Sequence, residues 1–149
     1  MQDTNRTSGP GFIHLKVHSA YSLLEGALPI SKLAKLAVGY GFPALGLTDT
    51  NNLFGALEFS EKLWGEGVQP IIGCQLSIEM EDRAPAAPGH KRHLETMPSL
   101  VLLAATEEGN ANLTRLVSRA YMETPTGDPI HIAVSWLETL AGGIIALSG

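Results

Sequence analysis

The sequence predicts an α/β fold made of βαβ units around a mainly parallel sheet or barrel, and three observations carry that reading. Short uncharged apolar runs alternate about four times with segments of helical periodicity. Glycine and proline fall at the junctions between them. The chain has 149 residues, 44% of them hydrophobic, enough for one core that removes roughly 68–70% of the unfolded surface from water.

Residues 1–11 hold Gly9, Pro10 and Gly11 without apolar periodicity, which predicts a flexible leader. In Phe12–His18, Ile13, Leu15 and Val17 alternate with His14, Lys16 and His18, predicting a first strand with its three polar side chains on one face. Pro29 suits a first helical turn, Ile30, Leu33, Leu36 and Ala37 recur at helical spacing, and Gly39 and Gly41 supply the stop. Ala44–Leu47 reads as the second strand, ending in the polar run Thr48-Asp49-Thr50-Asn51-Asn52. A helix from Leu53 to Leu63 or Trp64 follows, closed by Gly65 and Gly67, and Gln69–Ile78 gives a third strand with a kink at Gly73. Residues 81–98, with Pro85, Pro88, Pro98 and the basic cluster His90-Lys91-Arg92-His93, read as a long surface excursion. Leu100–Ala104 is the fourth strand, and Leu113, Leu116, Val117 and Ala120 mark the next helix. A loop through Pro125, Gly127 and Pro129 leads to a short helix near Ser135–Leu140 and a last strand, Ile144–Leu147. A chain that stops directly after a strand-like run predicts a fragment of an α/β fold occupying residues 12–149.

Charge narrows the function. Ten Lys and Arg oppose fifteen Asp and Glu, giving −5, and 17% of residues are charged; this excludes both a broadly basic nucleic-acid surface and a solvated disordered chain. Two firm charges, Lys91 and Arg92, are too few for DNA affinity on their own. Cys74 is the single cysteine, and Met1–Arg6 lacks the pattern of a signal peptide, which fits a reducing cytoplasm. No apolar stretch approaches the roughly 18–20 residues that span a bilayer, so no membrane partner is expected.

Lys16 with His18, Asp49 with Thr50, and Gln75 sit at the carboxyl ends of predicted strands, with Glu25 in reach of the same side. Such ends converge in parallel α/β folds. His18, Glu25 and Asp49 are competent ligands for a divalent cation that would activate water, while the Lys16 ammonium would repel one. Plainer readings stand beside these: His18 bonded to backbone, Asp49 with Asn51 and Asn52 capping the next helix, His90 and His93 on a solvated loop, and Cys74 as a small buried side chain. Phosphate-cradling glycine motifs, a Gly-x-Ser-x-Gly elbow and a Cys-x-x-Cys pair are absent from the sequence.

Four strings stand in register: Phe12–Gly26 (FIHLKVHSAYSLLEG), Pro43–Gly55 (PALGLTDTNNLFG), Pro70–Gln75 (PIIGCQ) and Leu100–Ala104 (LVLLA). With Asn112-Leu113 and the terminal Ile-Ala-Leu-Ser-Gly, they resemble the PHP (polymerase and histidinol phosphatase) domain at the N-terminus of bacterial replicative DNA polymerase III alpha subunits. The resemblance runs from Phe12 to Gly149 and implies a distorted, TIM-barrel-like (β/α)7 barrel, of which this chain supplies the N-terminal portion. It also implies a multinuclear metal site, with ligands at both His of a His-x-His strand, a following acid, the His of Thr-Asp-His, a Glu after Ile-Gly-x and a His before Leu-Val-Leu-Leu. The positions that match are Lys16, His18, Glu25, Thr50, Gln75 and Ser99, so only His18 and Glu25 keep a ligand side chain. With Asp49 these are vestigial positions, and His18, Glu25 and Asp49 are the only metal donors left. The ligand losses that the resemblance implies predict no cofactor and no catalytic residue in this chain; Lys16, on one strand face with His18 and with those acids nearby, is expected to pair with Glu25 or Asp49 in place of the divalent metal that fuller family members hold.

The implied function is a degenerate PHP segment of a DNA-directed DNA polymerase, serving structure and protein contact in DNA replication in the bacterial cytoplasm. The implied partners are the proofreading exonuclease subunit and other holoenzyme subunits, with DNA binding and the Mg site of polymerisation elsewhere in the full subunit. The alternative is an active metal-dependent phosphoesterase, pyrophosphatase or 3′-to-5′ exonuclease. An incomplete barrel also leaves a sheet edge that invites self-association.

Overall fold

A computed structural model of the chain describes residues 11–80 and 97–147. Of the expected leader and the expected excursion at 81–98, all but Gly11, Met97 and Pro98 lie outside the described residues.

The elements run α1 (Ile30–Gly39), β1 (Ala44–Leu47), α2 (Ala56–Gly65), β2 (Gln69–Glu79), β3 (Ser99–Ala104), α3 (Glu107–Glu123), β4 (Ile132–Ala133), α4 (Ser135–Leu140) and β5 (Ile144–Leu147). Helix α1 follows Pro29, whose missing N–H costs nothing at a helix start, and it buries Ile30, Leu33, Ala34 and Ala37 on one face. All four residues of β1 are buried, as expected of a strand covered on both faces. Helix α2 begins three residues later than its apolar pattern suggests and places Phe59 and Leu63 fully inside. Burial of each such side chain contributes about 1.5–3 kcal/mol.

Strand β2 is the spine of a five-stranded sheet ordered β1-β2-β3-β5, with β4 paired to its far end. β1 runs parallel to it from Ala44↔Gln69 to Leu47↔Ile72, and β4 is parallel through Ile78↔Ile132. β3 is antiparallel to β2 and β5 antiparallel to β3. The sheet is therefore mixed, which corrects the mainly parallel expectation: an apolar run reports burial and not direction. The antiparallel course has a functional consequence. Ser99 opens β3 beside Ser77, and so lies at the end of the sheet where β2 finishes.

The expected first strand at 12–18 is a second correction. These residues form no regular strand, although two backbone bonds tie them to β1, from Gly46 N–H to the His14 carbonyl and from Thr48 N–H to the Val17 carbonyl, both at 2.8 Å. Three residues on one side span two on the other, and the Val17 N–H turns to the Thr48 hydroxyl at 3.1 Å instead of a carbonyl. Gly46 permits this approach, since a Cβ there would lie 2.7 Å from the Leu15 carbonyl oxygen.

Two apolar clusters form the core. The first joins α1, β1 and α2 around Leu33, Leu47, Phe59 and Leu63. The second joins β2, β3 and α3 around Leu76, Leu102, Leu113 and Leu116. At the end of the second cluster the buried His131 ring donates from Nδ1 to the Pro129 carbonyl at 2.7 Å and meets Glu79 through Nε2 at 3.2 Å, fixing β4 to β2.

Candidate functional site

The carboxyl end of β1 turns directly into Thr48–Asn52, and this turn organises the cleft. Asp49 is 2% exposed. Its carboxylate accepts from the Ser19 N–H at 2.7 Å, the Ser19 hydroxyl at 2.8 Å and the Ser22 hydroxyl at 2.6 Å. A buried carboxylate is stable only when so satisfied. The Ser22 oxygen in turn accepts the Thr50 N–H at 3.0 Å. Asp49 therefore binds the loop after residue 18 to the β1 turn, and it does not cap α2, whose N-cap is Gly55 without a side-chain bond.

The turn is held from β2 as well. Gln75 N–H donates to the Asp49 carbonyl at 3.1 Å, and Asn51 N–H to the Gln75 carbonyl at 2.8 Å. Asn51, at φ +54°, takes the left-handed conformation that asparagine tolerates well. Its side-chain oxygen accepts from Ser77 N–H at 3.0 Å, while its amide donates to the Ile130 carbonyl at 3.2 Å. Gln75 thus stands in the middle of β2 opposite Thr50, not at the strand's end.

Cys74 is wholly buried, and its thiol donates to the Asp49 carbonyl at 3.2 Å and the Asn52 carbonyl at 3.4 Å. Burial pushes its pKa up to about 12, so almost no thiolate exists at neutral pH. The native chain at pH 8 is expected to resist alkylation by iodoacetamide and to take up one equivalent once unfolded; rapid native labelling would contradict this burial.

The positions singled out in the sequence divide. His18, Glu25 and Thr50 come together, with His18 Nδ1 3.1 Å from Glu25 Oε2 and the Thr50 hydroxyl donating to the same oxygen. Gln75 neighbours Thr50 across the bridge, whereas Ser99 pairs with Ser77 further along. Lys16 is exposed and, among the described residues, forms no ion pair with Glu25 or Asp49. The expected ammonium substitution is thereby corrected: His18 and Thr50 serve Glu25, and the serines serve Asp49. Sequence reasoning passed over Ser19 and Ser22, although a buried aspartate demands donors and Ser-x-x-Ser places two in one turn.

Among the described residues, few of these side chains are free to ligate a divalent ion. Asp49 is spent on serines, one oxygen of Glu25 is taken twice, and Thr50, Gln75 and Ser99 offer neutral oxygens. Among the described residues no three His, Cys, Asp or Glu side chains gather as a metal site would require.

A family model described as the PHP domain matches residues 14–149. The DNA polymerase III subunit alpha of Caulobacter vibrioides is 42% identical over 144 residues, which is 95% of this chain and 12% of that protein. Its namesake in Escherichia coli K12 is 35% identical over 142 residues, covering 95% of this chain and 11% of the relative. The chain thus spans about an eighth of these relatives' length. Among solved structures, a protein described as a metal-dependent phosphoesterase from Bifidobacterium adolescentis superposes with a TM-score of 0.53 at 14% identity, over 76% of this chain and 34% of its own. An amidohydrolase from Chromobacterium violaceum gives 0.52 at 20%, over 74% and 33%. Both likenesses concern the fold, which is a partial barrel of their type. With the cleft at the end of β1 and a family match running nearly the length of the chain, the protein belongs to the PHP domain family.

Proposed function

We propose that this chain is the PHP segment of a bacterial replicative DNA polymerase alpha subunit, in which the former metal cleft has become a structural and protein-binding element. The kinship with DNA polymerase III alpha subunits supports the setting. The observation that supports the loss of the metal site is the arrangement at Asp49 and Glu25: hydroxyls and a backbone N–H occupy both Asp49 oxygens, and an imidazole and a hydroxyl share Oε2 of Glu25, leaving Oε1 as the one open carboxylate oxygen of the pair. Such an arrangement stabilises the loop between His18 and Gly26 without a cation. Polymerisation with its Mg ions and most DNA contact belong to other parts of the parent subunit, and the proofreading exonuclease subunit is the partner proposed for this region, in the bacterial cytoplasm.

The test is elemental analysis of the purified chain after incubation with excess Mn or Zn and desalting, joined to hydrolysis assays on bis-p-nitrophenyl phosphate and pyrophosphate. Substoichiometric metal and no Mn-dependent turnover are expected. One equivalent of retained metal, or turnover that rises with Mn, would restore the phosphoesterase reading.

A further inference from the structure

Beside Glu25 lies an open cavity of about 320 Å³, lined among others by Tyr21, Leu23, Thr50, Phe54 and Tyr121. Its chemistry is one-sided. Glu25 presents two oxygens, of which Oε2 receives both His18 and Thr50. Oε1 has no donor among the described residues, and the side chain is 41% exposed. Two further atoms, His18 Nε2 and Gln75 Oε1, are buried without a partner among the described residues, and neither residue lines the cavity. Glu25 Oε1 is therefore an acceptor to spare at the cavity, which suits a ligand that only donates hydrogen bonds.

The walls specify more. Phe54 is 69%, Tyr121 48% and Tyr21 42% exposed, so three aromatic rings edge one carboxylate. Ring faces attract cations, most readily the weakly hydrated planar guanidinium. Glu58 adds negative charge at the rim, where it accepts the Tyr21 hydroxyl at 3.5 Å. Lys16, which could have answered this demand from within the chain, does not reach it. Leu23 stands 83% exposed at the mouth, an apolar contact for residues flanking an inserted side chain.

We infer that the cavity receives an arginine side chain of a partner polypeptide, its guanidinium donating end-on to Glu25 Oε1 between the aromatic rings. End-on geometry follows because Oε2 is already shared by two donors, so the two-oxygen fork is closed. The inference rests on the proposal that the cleft holds no divalent metal.

The test follows amide shifts of the whole 15N-labelled chain near Glu25, Thr50, Phe54 and Tyr121, with Nα-acetyl-arginine amide as probe. Nα-acetyl-citrulline amide, spermidine and MnCl2 form separate arms. Saturable shifts with a dissociation constant on the order of millimolar are expected, weakened about tenfold for the uncharged citrulline probe and about tenfold in Glu25→Gln. Phe54→Ala, at a position 69% exposed, gives a second variant that buries no less apolar surface in either core cluster, and it should also weaken the arginine probe. Shifts of equal size from citrulline, no saturation, or undiminished binding in both variants would overturn the inference. Tighter binding of spermidine than of the arginine probe would overturn it in favour of a free polyamine. Line broadening by substoichiometric Mn at His18 and Glu25 would overturn the metal-free reading itself; a silent Mn arm with a silent arginine arm defeats this inference alone.

Discussion

Asp49→Ala is expected to lower stability by about 3–5 kcal/mol, because it strands three donors in a dry site and removes the one anion that satisfies them. The carboxylate joins residues 30 apart in sequence, so its loss frees the loop through Ser19 and Ser22 and with it Glu25. For a domain whose whole stability is about 5–15 kcal/mol, that is a large share. Asp49→Asn separates charge from shape: its carbonyl oxygen still accepts, while a serine hydroxyl rotates to receive its amide, and a loss of about 1–2 kcal/mol is expected. Urea midpoints of the two variants measure this. Equal loss in both would show that charge dominates, and no loss in Asp49→Ala would show that the serines do not depend on it.

Gly109→Ala sets two effects of opposite sign against each other. In a helix interior alanine is favoured over glycine by about 1 kcal/mol, and Gly109, in the first turn of α3, stands to gain at most that much. Here the added Cβ would lie 1.9 Å from the Gly143 carbonyl oxygen and 2.5 Å from its carbon, and both belong to backbone that cannot rotate away. That carbonyl also accepts the Ala105 N–H, and the Gly109 N–H donates to the capping Thr106 hydroxyl. Separation of α3 from the turn before β5 would break these contacts, and overpacking wins, with a net loss of about 3 kcal/mol. The melting temperature should fall by about 10 °C. A rise would mean that helix propensity governs and that the turn yields freely.

Much of this was legible from periodicity, and the parts that were not have physical reasons. The pattern Ile30, Leu33, Leu36, Ala37 and the uncharged run at Ala44–Leu47 report burial directly, and the observed α1 and β1 coincide with them. The alternation in Phe12–His18 is equally good, yet regular pairing fails there because one N–H prefers the Thr48 hydroxyl. Strand direction escaped because an apolar run looks alike in either sense, and β3 proved antiparallel. In the cleft, His18, Glu25 and Thr50 are readable as site positions, and the structure brings them together. Which acid serves which donor was not readable, since Asp49 meets serines that no local pattern joins to it. His131 and Glu79 escaped for the same reason, being 52 residues apart along the chain.

The position of Gly73 in β2 has a consequence for how the chain assembles. Ile72 pairs with Leu47 of β1, and the next residue, Gly73, pairs with Leu103 of β3. The buried members of the first cluster all precede that point, and those of the second all follow it. The molecule is thus two collapse units in sequence order, and as the chain leaves the ribosome the first has its full apolar complement before the second is synthesised. The Asp49 turn lies in the first unit, but Cys74, Gln75 and Ser77, which clamp its backbone, begin the second. The cleft is therefore finished last, as a seam that takes its shape only when both halves have docked.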